Sequence, residues 1–115
     1  MTELERCCRE YLGHLSVERN LSPNTVAAYR RDLEAYRAFL AERGVTGPDS
    51  VTRRDVEDFV AHRREAGAAD ASVNRALSAV KGLHRFLVRE GISTTYPTSA
   101  IRTPRSEEHT SELQS

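Results

Sequence analysis

Apolar residues recur along this chain three and four positions apart, and no stretch of useful length alternates with a period of two. That spacing predicts helices throughout. A first helix is predicted from about Glu3 to Arg19, with Leu4, Cys7 or Cys8, Tyr11, Leu12 and Leu15 on one face. A second runs from Pro23 to about Arg43, with the stripe Val26, Tyr29, Leu33, Tyr36 and Leu40. Ser22 is placed to cap it with its hydroxyl, and Pro23 suits the first helical position, where no N–H is needed. Gly44 closes this helix, and residues 45–50 are turn chemistry. Thr52 caps a third helix with Asp55 three residues on, a variant of the capping box; Val56, Phe59 and Val60 face inward and Gly67 stops it. Asp70 or Ser72 caps a fourth helix that runs to about Glu90 and stops at Gly91. Four helices with short joints make an all-α bundle.

Two of these helices carry side chains suited to phosphate. At the start of the second, the uncapped backbone N–H groups lie close to Asn24, Thr25, Arg30 and Arg31, and such a start is a natural seat for an anion. On a helical wheel the fourth separates cleanly. Val73, Leu77, Val80, Leu83, His84 and Leu87 gather on one side; Asn74, Arg75, Ser78, Lys81, Gly82, Arg85 and Arg89 gather on the other. The polar side holds four cations and no acid, whereas solvated faces usually mix both signs. Asn74 and Ser78 could bond phosphates or base edges, and Arg75, Lys81 and Arg85 could reach both. A merely solvated face would read the same way, so the two interpretations stand side by side. Gly82 costs about 1 kcal/mol in a helix interior relative to Ala; it would admit the close approach of DNA or of a neighbouring helix. Tyr29 and Tyr36 belong to the apolar stripe, and Asp32 is expected to pair with an arginine. Replacing Arg75 and Lys81 together is expected to weaken DNA binding and to leave stability nearly unchanged.

Charge changes this picture slightly. The formal net charge is zero, with 17 basic and 17 acidic residues. Three of the acids, Glu107, Glu108 and Glu112, sit in the last ten residues, where there is no Lys or Arg; the rest of the chain is basic by three charges. Lys81 is the only lysine, and arginine forks phosphate and guanine better than lysine does. The adjacent Cys7 and Cys8 point in different directions on a helix and lack metal-site spacing. One is expected in the core and one near the surface, in a reducing cytoplasm. The histidines lack partners at ligand spacing, so no metal and no cofactor is expected. The charged N-terminus is not a signal peptide, and no segment approaches a membrane span.

The segments Leu21-Ser22-Pro23-Asn24-Thr25 and Ala28-Tyr29-Arg30-Arg31-Asp32-Leu33 resemble the N-terminal core-binding domain of tyrosine recombinases, in particular the XerC/XerD group. Thr52 with Asp55-Val56, the run from Ser72 to Lys81, Phe86-Leu87, Glu90-Gly91, and the exit Tyr96-Pro97 to Arg105 continue the likeness in order and spacing. Lys81 stands where the family more often has Arg, and Tyr96 where Asn is usual. The resemblance implies a SAM-like, four-helix orthogonal bundle that clamps duplex DNA with its second and fourth helices in the major groove. It also implies a parent enzyme that cuts one strand with a tyrosine, forms a 3′-phosphotyrosyl link, and exchanges strands within a tetramer, as in the resolution of chromosome dimers at cell division. The family keeps its catalytic residues in a second domain. No catalytic role is carried to Tyr11, Tyr29, Tyr36 or Tyr96, and this chain alone is expected to bind DNA and catalyse nothing.

The expected organisation is a DNA-binding domain over residues 1–91, then a linker over 92–105 toward a catalytic domain absent from this chain. Residues 106–115 are expected to be a non-native tail: from Arg105 to Ser115 the sequence equals the in-frame translation of a common short-read sequencing adapter. The expected partner is double-stranded DNA, with no membrane and no small-molecule substrate. A phage or mobile-element integrase is the near alternative, and a helical protein–protein module without DNA binding is the distant one.

Overall fold

The computed structural model describes residues 2–94. Its elements are α1 (Glu3–Val17), α2 (Pro23–Glu42), a single 3-10 turn (Pro48–Ser50), α3 (Arg53–Glu65) and α4 (Asp70–Arg89). There is no strand among the described residues. The helix starts follow from local chemistry. Ser22 Oγ accepts the Thr25 N–H at 3.2 Å, with Pro23 in the first turn. Thr52 and Asp55 form a reciprocal box, each side chain bonding the other's backbone N–H at 3.2 and 2.9 Å. A second box, formed by Thr2 and Glu5, starts α1 and was not anticipated from the sequence.

The start of α4 differs from expectation. Its N-cap is Ala69, which offers no side-chain hydrogen bond, and neither Asp70 nor Ser72 caps it. The preceding turn explains this. Gly67 takes the left-handed conformation at φ 91°, and the Ala68 N–H returns to the Arg63 carbonyl at 3.2 Å. This Schellman closure fixes the length of the joint and puts Ala69 in the cap position. Asp70 then lies inside the first turn, where its charge still meets the positive end of the helix dipole. The same closure ends α2 and α4, with Val45 and Ile92 returning to Leu40 and Leu87.

α4 is the centre of the bundle. It packs against α1, α2 and α3, and its buried face runs through Val73, Ala76, Leu77, Val80, Leu83 and Leu87. The core is completed by Leu4, Tyr11 and Leu15 of α1, Leu33, Tyr36 and Leu40 of α2, and Val56 and Phe59 of α3. Gly82 serves this packing: a Cβ there would overlap the hydroxyl of Tyr11 on α1. The close approach that Gly82 permits is therefore that of a neighbouring helix.

Both cysteines are buried, contrary to the expectation of one inside and one near the surface. The flanks of α1 are covered by different elements. Cys8 lies on the α2 side with Leu33, and Cys7 lies beside Ile92. Burial pushes the Cys8 thiol up to about 12 and raises Cys7 as well, so both remain protonated and unreactive at neutral pH.

Just past α4 the chain stays on the bundle. Ser93 is buried, and its hydroxyl and the Thr94 N–H both donate to Asp49 Oδ1 at 2.9 Å. The expected exit from Tyr96 to Arg105 and the tail 106–115 lie outside the described residues.

Candidate nucleic-acid interface

At the start of α2, Asn24 and Arg31 are exposed and Thr25 is half-buried. The Thr25 hydroxyl lies 2.9 Å from Ser22 Oγ, so the capping pair also fixes the orientation of this side chain. Arg31 has no ion pair or hydrogen bond among the described residues, and the same holds for Arg30. The two arginines diverge, because neighbours on a helix are turned by about 100°. Arg30 lines a cleft of about 250 Å³ between α1 and α2, together with Glu5, Arg9, Leu12, Glu34 and Arg37. It thus lies on the α1 side of α2, away from the α4 contacts.

On α4, Ser78 and Arg85 are exposed, and Asn74, Arg75 and Lys81 are half-buried. Asn74 Oδ1 is buried without a hydrogen-bond partner. Arg75 has a structural task. Its Nε donates to Asp32 Oδ2 at 2.7 Å and its second terminal nitrogen donates to Oδ1 at 3.0 Å. The Asp32 side chain is only 2% exposed, that of Arg75 38%. This forked ion pair joins α2 to α4 and raises the Arg75 pKa, mainly through the hydrogen bond. Two of the five guanidinium donors face Asp32, leaving three for a ligand. The expectation that Arg75 could be removed without cost to stability is therefore corrected: its loss strands a buried carboxylate.

A second bond ties the same two helices. Tyr36 Oη lies 2.8 Å from His84 Nε2 in the core. His84 is fully buried, its Nδ1 has no partner, and burial lowers its pKa to about 4. It is a neutral packing residue. An Nε2–H donating to Tyr36 leaves Nδ1 as a bare acceptor, which costs less than a buried unpaired N–H. His14 and His62 pack against Phe86 and Phe39. Among the described residues no group of His, Cys, Asp and Glu could hold a metal ion, and no helix is long and apolar enough to cross a membrane.

The structure thus cross-links α2 to α4 through Asp32–Arg75 and Tyr36–His84, and it sets Arg30 apart in the cleft on the α1 side. Arg37 stands seven residues from Arg30 on α2, so their common side follows from helical spacing, whereas Arg9 comes from α1 and only packing brings it to that cleft. Such an arrangement can hold phosphates and offer hydrogen bonds to base edges.

A family model for the phage integrase N-terminal SAM-like domain matches residues 8–91. Curated relatives are similar over most of the chain. Tyrosine recombinase XerD of Mycobacterium tuberculosis (strain ATCC 25618 / H37Rv) is 44% identical over 101 residues, covering 82% of this chain and 32% of the relative. Tyrosine recombinase XerC of Pseudomonas entomophila is 38% identical over 104 residues, covering 90% and 35%. Tyrosine recombinase XerD of Staphylococcus haemolyticus is 33% identical over 104 residues, with the same coverage. The chain spans about a third of the length of these relatives. No solved structure matches it significantly.

Proposed function

We propose a role in DNA recombination from one premise: this chain belongs to the phage integrase N-terminal SAM-like domain family. In this reading it is the DNA-holding portion of a Xer-type tyrosine recombinase, and it grips duplex DNA with the start of α2 and the outer face of α4. The grip positions a strand for cutting by residues that lie elsewhere in the whole recombinase. Chromosome dimer resolution in the cytoplasm, by a tetramer on DNA, is the corresponding cellular role. The Xer names of the relatives favour this over a mobile-element integrase.

One observation carries the reading. The Asp32–Arg75 fork fastens the first half of α2 to α4, whose polar side carries the exposed Ser78 and Arg85 and the half-buried Lys81, with no acid between them in the helix. Phosphates are held by such groups and bases are read between them.

The test is binding of the chain to duplex DNA by fluorescence anisotropy across a salt series. Affinity should fall steeply with salt, because each phosphate contact releases counterions. Arg31→Gln with Asn24→Ala should weaken binding and leave the melting temperature unchanged, since both side chains are exposed. Absence of binding at the lowest salt would sink the reading and favour a protein–protein module.

A further inference from the structure

The cleft between α1 and α2 lies outside the interface just described. Its charged lining is Glu5, Arg9, Arg30, Glu34 and Arg37, over walls formed by Leu12 and Leu33. Arg37 is engaged by Glu5 at 3.5 Å. Arg30 and Glu34 stand four residues apart, a spacing that commonly pairs, yet no ion pair joins them. Arg9 likewise has no hydrogen bond or ion pair among the described residues. Two exposed guanidinium groups therefore face one cleft of about 250 Å³, and its lining carries one net positive charge.

Distance relates this cleft to the DNA. The major groove is about 12 Å wide, so one helix fills it. Packed helices lie about 8–10 Å apart, and α1 packs directly on α2. When α2 enters the groove, α1 comes alongside the groove's wall, which is a phosphate backbone. Arg30 is adjacent in sequence to Arg31, turned toward α1, and it would meet that wall from one side while Arg9 meets it from the other.

We infer that Arg9 and Arg30 together form a phosphate clamp in the α1–α2 cleft, which holds one backbone phosphate of the duplex outside the groove occupied by α2. The clamp rests on the DNA-binding reading above. It assigns Arg30 to positioning rather than to base reading, and it brings α1 into the contact surface.

Duplex binding across a salt series tests it with the wild-type chain, Arg9→Gln/Arg30→Gln, Arg9→Lys/Arg30→Lys, and Arg6→Gln. Arg6 lies beside Cys7 and Ile92 instead and serves as the charge control. The Gln pair should bind more weakly, with a dependence of log affinity on log salt shallower by about 0.9, the value of one lost phosphate. The Lys pair should restore most of the slope, and Arg6→Gln should keep the wild-type slope. If the wild type binds and the Gln pair matches it in slope, the clamp is wrong and the α2–α4 reading stands. If the wild type fails to bind, both fall. If inorganic phosphate raises the wild-type melting temperature but not that of the Gln pair, while the DNA slopes agree, the cleft takes a free anion and the clamp is again wrong.

Discussion

Asp32 and Arg75 show how one residue can be claimed by two tasks. The Asp32 carboxylate is buried and both its oxygens accept from the Arg75 fork. Breaking a buried pair by deleting one partner costs about 3–5 kcal/mol. Because Arg75 is itself more than a third exposed, water compensates in part, and Arg75→Ala should destabilise by about 2–3 kcal/mol in urea unfolding. Arg75→Lys should cost less but should not restore wild type, since a point charge cannot fork. A wild-type midpoint for Arg75→Ala would show the pair to be dispensable. The pairing of Asp32 with an arginine was foreseeable from its place beside the stripe; which arginine was not, since the two lie 43 residues apart.

His84 makes stability depend on pH. Its folded pKa is lowered from 6.5 to about 4, so the unfolded chain binds the proton more readily than the folded one. The contribution of neutral His84 is complete above pH 6.5, shrinks as pH falls below that value, and is gone by about pH 4. The shift corresponds to about 3 kcal/mol over that window. Unfolding free energy measured from pH 7 to 4 should fall for wild type, and His84→Gln should remove about 3 kcal/mol of that fall. Equal slopes would mean that His84 titrates normally.

Among the elements, starts and stops were the most legible features. Ser22 and Thr52 cap as their local sequence says, and Gly44, Gly67 and Gly91 all take left-handed φ at helix ends. A cap is decided within four residues, so nearest neighbours suffice to read it. The start of α4 escaped because the closure of the preceding turn, rather than the best capping side chain, sets where that helix begins. The contact of α1 with α4 also needed the structure. Gly82→Ala should gain about 1 kcal/mol of helix propensity but force overlap with Tyr11, and overpacking typically costs about 1–3 kcal/mol. The net effect should be destabilising, and Tyr11→Phe, which removes the overlapping hydroxyl, should recover much of the loss. A double-mutant cycle reads this directly; additive effects would disprove the contact.

For the whole molecule, the bundle places α4 at the centre and fastens Ser93 and Thr94 just past it. Asp49, in the 3-10 turn, receives Ser93 and Thr94, so the position of these two residues is set by a loop more than forty residues upstream. Asp49→Ala should abolish hydrogen-exchange protection of the Thr94 amide and leave the amides of α2 and α4 protected. Retained protection at Thr94 would show that residue to be held otherwise. The sequence by itself determined the helical class, most helix ends, the apolar stripes and the one-signed face of α4. All of these follow from interactions between residues within four or so positions of one another. Only the tertiary structure decided that Arg75 answers Asp32, that Gly82 receives Tyr11, that both cysteines are covered, and that Arg30 turns toward Arg9. Each of these depends on which faces of separate helices meet, and that choice is made by the packing of the whole bundle at once.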